Sequence, residues 1–257
     1  MTDLRVAPDP ERLSELAARE VVEVVRHAVA LRGRATIALS GGSTPRRLYA
    51  RLGEQAGSEA AWAKTDLFWV DERFVPTDRP ESNYRLVRET LLSGGHIPPE
   101  RVHPVPTDAR DVVTAGERYD AELHRFFTAS GPTVDLAVMG IGPDGHTASL
   151  FPGTSALDER ARWAVAVAQS PVPPSVPRVT LTLPFLNRSR CVLFLAVGAE
   201  KAEIVHRAVE EPGDGVDRLP AARIAGLEST VFFLDAAAAG QLSSGGRNPG
   251  RGIESPK

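Results

Sequence analysis

Residues 134–153 read Val-Asp-Leu-Ala-Val-Met-Gly-Ile-Gly-Pro-Asp-Gly-His-Thr-Ala-Ser-Leu-Phe-Pro-Gly. The apolar run 134–139 predicts a buried strand. The glycines and the proline that follow it predict a loop at the carboxyl end of that strand. Because open α/β sheets bind ligands at this edge, Asp144 and His146 in the loop are candidates for acid/base chemistry.

The same loop matches the G-x-G-x-x-G pattern of dinucleotide-binding proteins at residues 140–145. That fingerprint requires a helix that starts on the loop and an acidic residue at the end of the next strand. The next predicted strand, 163–168, is followed by Gln and Ser, and His146 stands where a pyrophosphate needs a small residue. We therefore expect no dinucleotide cofactor.

The composition is that of an ordinary globular protein. The 257 residues include 30 Lys and Arg against 33 Asp and Glu, a net charge of −3, and 42% are hydrophobic. The length supports a sizeable core, and the acidic balance gives no basic field for a nucleic-acid partner. Since no apolar run reaches the length of a membrane span and none resembles a secretory signal, we expect a cytoplasmic protein without a membrane partner.

Apolar strand-like runs alternate with amphipathic helical runs along most of the chain. This alternation predicts an α/β fold, a single doubly wound, mainly parallel sheet with helices on both faces. Residues 1–239 are expected to form one domain, in which residues 1–8 are a short lead-in to the first helix. Residues 240–257 consist largely of Gly, Ser, Arg, Asn and Pro, which predicts a disordered C-terminal tail.

A predicted strand at 35–39 runs into Ser40-Gly-Gly-Ser-Thr-Pro45. Pro45 is expected to begin a helix that Ser43 or Thr44 caps. Exposed backbone N–H groups, hydroxyl groups and the positive end of a helix would then converge, an arrangement that favours an anion over a plain capped turn. The candidate phosphate-binding residues are Gly41, Gly42, Ser43 and Thr44.

A second polar cluster, Asp71-Glu-Arg73, follows the predicted strand 66–70. The carboxyl ends of parallel strands lie along one edge, so segments 40–45, 71–73 and 144–146 can line one pocket. Lys201 is a further candidate because it falls in the predicted first turn of a helix, where a cation opposes the macrodipole.

Three motifs together resemble the 6-phosphogluconolactonase family, which shares its isomerase/CoA-transferase-like fold with the glucosamine-6-phosphate isomerases. They are Ser40-Gly-Gly-Ser-Thr-Pro45, Trp69-Val-Asp-Glu-Arg73 and Gly140-Ile-Gly-Pro-Asp-Gly-His-Thr-Ala-Ser-Leu-Phe-Pro152. The similarity extends from the first helix to about residue 235. It implies hydrolysis of 6-phospho-D-glucono-1,5-lactone to 6-phosphogluconate, the second step of the oxidative pentose phosphate pathway, without metal or cofactor.

The resemblance also implies roles for individual residues. His146 corresponds to the general base that activates water, Asp144 to a neighbouring carboxylate, and Arg73 to a substrate contact. The matching phosphate-binding positions are Gly42, Ser43 and Thr44, with Arg178 and Lys201 as basic residues that complete the anionic site. Asp71 is a candidate substrate-binding residue, and for Asp71, Glu72 and Asn83 the choice between substrate contact and structural support stays open.

Elementary chemistry agrees with this interpretation. A lactone is an activated ester, so a water molecule and one general base suffice for its hydrolysis. Histidine suits that role, because its unperturbed pKa is about 6.5, and an Arg or backbone N–H groups can stabilise the oxyanion. The chain lacks the Gly-x-Ser-x-Gly of serine esterases and the His-Glu-x-x-His or paired cysteines of zinc hydrolases.

Two alternatives stay open at this point. The first is a glucosamine-6-phosphate deaminase, whose motif carries a further Glu after the His, whereas segment 147–152 contains no acid. The second is a non-catalytic sugar-phosphate sensor, although no basic helix-turn-helix precedes residue 35. We expect a small sugar-phosphate lactone as the partner molecule and a monomer or weak homo-oligomer.

Overall fold

The structure, a computed structural model, describes residues 2–128, 131–211 and 213–243. The nine strands within these residues are β1 (Thr2–Ala7), β2 (Ala35–Leu39), β3 (Thr65–Trp69), β4 (Asp71–Arg73), β5 (Leu136–Gly140), β6 (Ala164–Val167), β7 (Arg178–Leu181), β8 (Cys191–Ala196) and β9 (Ser229–Asp235). Six of them form a sheet in the order β1-β9-β8-β5-β2-β3, and every neighbouring pair in it is parallel. The predicted mainly parallel α/β fold is confirmed.

Within the described ranges, six α-helices connect or flank the strands, together with short 3-10 turns. The helices are α1 (Pro10–Arg32), α2 (Ser43–Gln55), α3 (Asn83–Glu89), α4 (Val112–Phe126), α5 (Leu183–Leu186) and α6 (Ala202–Val209). The 3-10 turns are Ala56–Ser58, Ala60–Lys64, Pro99–Arg101, Ser155–Asp158, Ala199–Lys201, Gly215–Asp217 and Ala221–Arg223. Across the described residues, no helix combines the length and the hydropathy that a membrane crossing requires.

The central sheet is the core of the molecule. All five residues of β2 and of β3 are buried, as expected for parallel strands covered on both faces. Helix α1 packs against β1, β2 and β9, and α2 packs against β5 and β8. Because β2, β3 and β5 are adjacent and parallel, the loops at their carboxyl ends emerge side by side.

Three strands lie outside the parallel sheet, so the prediction of a single sheet is wrong for them. Strands β4, β7 and β6 form an antiparallel sheet in that order. Val70 joins the two sheets, since its N–H donates to Leu39 O and its carbonyl accepts from Leu181 N–H. Apolar periodicity identifies a strand but not its partner, which is why the second sheet is invisible in the sequence.

Both ends of the described chain are more ordered than predicted. Residues 2–7, expected to be a lead-in, pair with β9 as an edge strand; their charged side chains obscure the strand pattern. At the other end, Leu242 is buried and Ser243 donates hydrogen bonds to Glu210, so packing continues beyond the expected boundary at residue 239. The rest of the predicted tail, 244–257, lies outside the described residues.

Helix α1 begins directly after residues 1–8 and its cap Asp9, whereas α2 does not begin where it was predicted. The side chain of Asp9 accepts from Arg12 N–H at 2.8 Å and caps α1. Helix α2 begins at Ser43 with Gly42 as its N-cap and no side-chain cap bond, so the expectation that Ser43 or Thr44 caps a helix starting at Pro45 is wrong. The glycine before the helix adopts φ +116°, which a residue with a side chain rarely does.

Candidate active site

A cavity of about 450 Å³ lies at the carboxyl edge of the parallel sheet. It collects loops that are far apart in sequence, following β2, β3, β5 and β8. Six of the predicted site residues line it: Gly41, Asp71, Arg73, His146, Arg178 and Lys201. Segments 40–45, 71–73 and 144–146 each contribute at least one residue to the lining. This confirms the expectation that they meet in one pocket.

His146 is held by Asp144. The Nδ1 atom of His146 lies 2.5 Å from Oδ1 of Asp144, which also accepts the backbone N–H of His146 at 3.1 Å. Burial of the Asp144 carboxyl opposes its ionisation, but the hydrogen bonds from His146 outweigh this effect and lower the pKa of Asp144. An ionised Asp144 assigns the proton to Nδ1 and leaves Nε2 unprotonated in the neutral ring.

The loop around His146 is closed by its own backbone. Gly142 N–H donates to His146 O at 2.8 Å, and Gly145 N–H donates to Gly142 O at 3.0 Å. Gly145 adopts φ +80°, a conformation that favours glycine. The His146 ring then packs on Phe151, with 4.6 Å between the ring centroids. The imidazole is thus fixed by one carboxylate, one tight loop and one aromatic face.

The structure also explains why the G-x-G-x-x-G pattern at 140–145 is coincidental. Between β5 and β6 the chain forms only a 3-10 turn at Ser155–Asp158, so no α-helix starts on this loop within residues 141–163. The helix amino terminus that a pyrophosphate requires is missing from this place.

Asp71 and Arg178 form a buried polar network in the wall of the pocket. The Asp71 carboxylate accepts from Ser149 Oγ at 2.6 Å and from Asn83 Nδ2 at 3.3 Å, and lies 4.0 Å from Arg178 Nη1. Arg178 is 3% exposed, and its Nη2 donates to the carbonyls of Val172 and Pro174. Burial lowers the pKa of Arg178, while Asp71 opposes that shift.

Arg73 and Lys201 add two more cations to the lining. Arg73 Nη1 donates to Glu81 O at 2.7 Å, while its buried Nε finds no partner among the described residues. Lys201 is the N-cap of α6, and its Nζ donates to Ile141 O at 2.9 Å, which brings the charge to the His146 loop. Among the described residues of the lining, three cations therefore face one carboxylate, Asp71, and the pocket favours an anion.

The predicted phosphate loop lies beside the cavity rather than wholly within it. Gly41 lines the cavity, and a Cβ atom there would come 1.7 Å from Asn83 Oδ1. Gly42 and Ser43 are exposed where α2 begins, and Thr44 is half-buried. The residues that line the cavity do not include Gly42, Ser43 or Thr44, so phosphate binding by these three stays a prediction.

Two contributors were not predicted as site residues. Ser149 is fully buried and joins the His146 loop to Asp71. Its only signal in the sequence is its place in the motif at 140–152. Segment 172–174 supplies one wall of the cavity and the carbonyls that hold Arg178. Its prolines identify a turn, but nothing in their spacing indicates what the turn covers.

The sheet and the cationic pocket define an α/β protein with an Asp–His pair at the carboxyl edge of its parallel strands. A family profile described as glucosamine-6-phosphate isomerases/6-phosphogluconolactonase matches residues 8–232. The 6-phosphogluconolactonase of Synechocystis is 39% identical over 214 residues, covering 82% of this chain and 86% of that protein. That of Mycobacterium tuberculosis is 38% identical over 251 residues, covering 95% and 99%. The chain belongs to the glucosamine-6-phosphate isomerase/6-phosphogluconolactonase family, which confirms the resemblance inferred from the motifs.

Solved structures agree with this assignment. The 6-phosphogluconolactonase of Thermotoga maritima matches with a TM-score of 0.80 and 31% identity, covering 91% of this chain and all of that one. The enzyme of Trypanosoma brucei matches with a TM-score of 0.81 and 30% identity, covering 95% and 99%. A monomeric glucosamine-6-phosphate deaminase has a TM-score of 0.77 at 23% identity, a likeness that concerns the fold alone.

Proposed function

We propose that this protein hydrolyses 6-phospho-D-glucono-1,5-lactone to 6-phosphogluconate, in the oxidative pentose phosphate pathway, with His146 as general base. The observation that carries the proposal is the 2.5 Å contact between His146 Nδ1 and Asp144 Oδ1, beside a pocket lined by three cations. The names of relatives that match nearly the whole chain support the substrate and the reaction class. A cytoplasmic location is part of the same proposal.

The position of His146 supports a reaction that begins with the activation of water. Nε2 of His146 takes a proton from a water molecule as the water oxygen bonds to the lactone carbonyl carbon. The carbonyl oxygen becomes an oxyanion, and the unpartnered Nε of Arg73 is a suitable donor to it. When the intermediate collapses, the bond from that carbon to the ring oxygen breaks. The protonated His146 then returns its proton to the leaving alkoxide, which becomes the hydroxyl group of 6-phosphogluconate.

The substrate phosphate is held at the cationic side of the pocket. Arg178 is fixed by two backbone carbonyls, and Lys201 by Ile141 O, so both charges are placed before the substrate arrives. Gly41 lines the same pocket, and the backbone N–H groups at the start of α2 beside it are proposed as further phosphate donors. Such an arrangement selects for a phosphorylated sugar lactone over a neutral one.

The isomerase branch of the family is the alternative that the experiment must separate. Its ring-opening chemistry would use an extra carboxylate after the histidine, yet segment 147–152 has none. Within this segment, the buried side chain of Ser149 offers Asp71 a neutral hydroxyl group.

The test is a pair of assays on the folded protein. One forms the lactone in place from glucose 6-phosphate and follows its loss against the spontaneous rate. The other measures ammonia release from glucosamine 6-phosphate. We expect acceleration in the first assay and none in the second. Absence of lactone hydrolysis by folded protein would refute the proposal, and ammonia release alone would move the chain to the isomerase branch.

A further inference from the structure

Glu72 is a fully buried carboxylate that lies next to the site without lining it. It is the central residue of β4, and the alternation of side chains along a strand turns it away from the face of Asp71 and Arg73. It is 1% exposed. Burial of this carboxyl raises its pKa to about 7, against the opposing effect of its hydrogen bonds. Burial of this carboxyl group therefore lowers the stability of the folded protein when the group is ionised.

The Glu72 carboxylate collects four hydrogen bonds from two segments. It accepts the backbone N–H groups of Arg73, Asn83 and Tyr84 at 2.7 Å each, and Ser82 Oγ at 3.2 Å. These contacts close segment 74–82 and tie the start of α3 to β4. Ser82 Oγ accepts only Arg85 N–H at the start of α3, so Glu72 satisfies the N–H groups of Asn83 and Tyr84 that this cap leaves open, and it does so from another element of the fold.

Both charged site residues of β4 are oriented by the segment that Glu72 anchors. Asn83 Nδ2 donates to Asp71 O at 2.8 Å and to its carboxylate, while Arg73 Nη1 donates to Glu81 O at 2.7 Å. If residues 81–83 shift, the Arg73 guanidinium loses its carbonyl partner and Asp71 loses its amide partner. Displacements of about 1 Å at such groups can cost about 100-fold in rate.

We propose that Glu72 is a positioning residue that sets the Arg73 guanidinium and the Asp71 carboxylate by clamping residues 81–84 to β4. The inference rests on the proposed function for what Arg73 and Asp71 do to the substrate. The clamp consists of hydrogen bonds, so its existence can be tested without measuring hydrolysis of a substrate.

The chain offers a matched control for Glu72. Asp135 is also a buried carboxylate, at 6% exposure, and accepts Thr36 N–H at 2.8 Å, Thr36 Oγ1 at 2.9 Å and Arg32 Nη2 at 2.6 Å. It precedes β5, at the end opposite to the His146 loop. Glu72→Gln and Asp135→Asn therefore each replace one buried carboxyl group by an amide of similar shape, at the two ends of the fold.

The experiment compares hydrogen–deuterium exchange and steady-state kinetics in wild type and both variants. For Glu72→Gln we expect exchange in peptides spanning 73–84 to become about tenfold faster, and kcat/KM to fall about 10- to 100-fold. Asp135→Asn should lose about as much thermal stability as Glu72→Gln, but its exchange at 73–84 and its kcat/KM should stay near those of wild type. If Glu72→Gln does not fold, Ser82→Ala, which removes the 3.2 Å bond, should show the same changes at smaller size.

The outcomes separate this inference from the proposed function. Unchanged exchange at 73–84 in the Glu72 and Ser82 variants overturns the clamp, whatever the activity. A kinetic loss no larger than that of Asp135→Asn overturns the positioning role. If the wild type itself does not hydrolyse the lactone, the proposed function fails, while faster exchange in Glu72→Gln would still establish the clamp.

Discussion

A Cβ atom on Gly142 would lie 2.1 Å from both Nδ1 and Cε1 of the His146 ring. The backbone of Gly142 is not in the left-handed region, so this glycine is required for space and not for its conformational freedom. The backbone hydrogen bonds that close the loop of residues 142–146 hold the backbone of Gly142 next to the imidazole. The position of the ring thus depends on an absent side chain.

Gly142→Ala should therefore displace the ring and separate it from Asp144. We expect kcat for lactone hydrolysis to fall about 100-fold or more, since a positioned general base contributes about 100- to 10,000-fold. Gly226→Ala is the control, because its Cβ would meet Ser229 O at 2.2 Å, at the amino end of β9 and away from the carboxyl edge that carries the pocket. That variant should lose stability but keep kcat. Equal kcat in the two variants would contradict the packing argument.

Asp144→Asn keeps the shape of the side chain but not its charge. An amide can offer N–H to Nδ1, which favours the tautomer protonated at Nε2 and removes the base. We expect kcat to fall about 100-fold or more, with a small change in the affinity for 6-phosphogluconate measured by calorimetry. A variant that retains kcat within a few fold would show that Asp144 does not set the tautomer.

Lys201→Met tests the cationic side of the pocket. The substitution removes the charge that Ile141 O holds in place, and a hydrogen bond to a charged group contributes about 1.5–3 kcal/mol. KM should rise about 10- to 100-fold, with kcat changed far less. Lys64→Met, at the end of a 3-10 turn before β3, should leave both constants unchanged. A loss confined to kcat would argue against a binding role for Lys201.

The buried Glu72 makes stability depend on pH in a defined window. The pKa of its carboxyl rises from the usual 4.5 to about 7 in the fold, so the folded state binds the proton more tightly than the unfolded state. The titration of Glu72 alone therefore contributes a loss of about 3 kcal/mol in stability as pH rises from 4.5 through 7. Glu72→Gln lacks this titration. Urea unfolding of both proteins at pH 4 and pH 8 measures this effect. The unfolding free energy of Glu72→Gln, relative to that of wild type, should be higher at pH 8 than at pH 4. A difference that does not depend on pH would contradict the assignment to Glu72.

Much of the fold could be predicted because its signals are local. The cap at Asp9, the glycine that ends α1 and the apolar runs of β2, β5 and β8 are each encoded within a few residues. The second sheet could not be predicted in this way. It depends on Val70 bonding to Leu39 and Leu181, residues 31 and 111 positions away along the chain. Edge strand β1 was not predicted either, because its exposed charged side chains interrupt the apolar pattern of a strand.

The site shows the same division. The motifs identified Asp144, His146, Arg73 and Lys201, since glycine-rich strand ends and a cation against the helix dipole are unusual locally. The role of Ser149 depends on its contact with Asp71, 78 positions away, which no spacing rule contains. Glu72 was left undecided for that reason as well, because its partners lie 10 to 12 residues further on.

The most direct test of the central claim is the rate of lactone hydrolysis by His146→Ala. His27→Ala, an exposed histidine change on α1, serves as control. The proposed mechanism predicts that His146→Ala loses about 100- to 10,000-fold in kcat while it binds 6-phosphogluconate nearly as well as wild type, and that His27→Ala is unaffected. Retention of kcat by folded His146→Ala would contradict the account and leave His146 without a catalytic role.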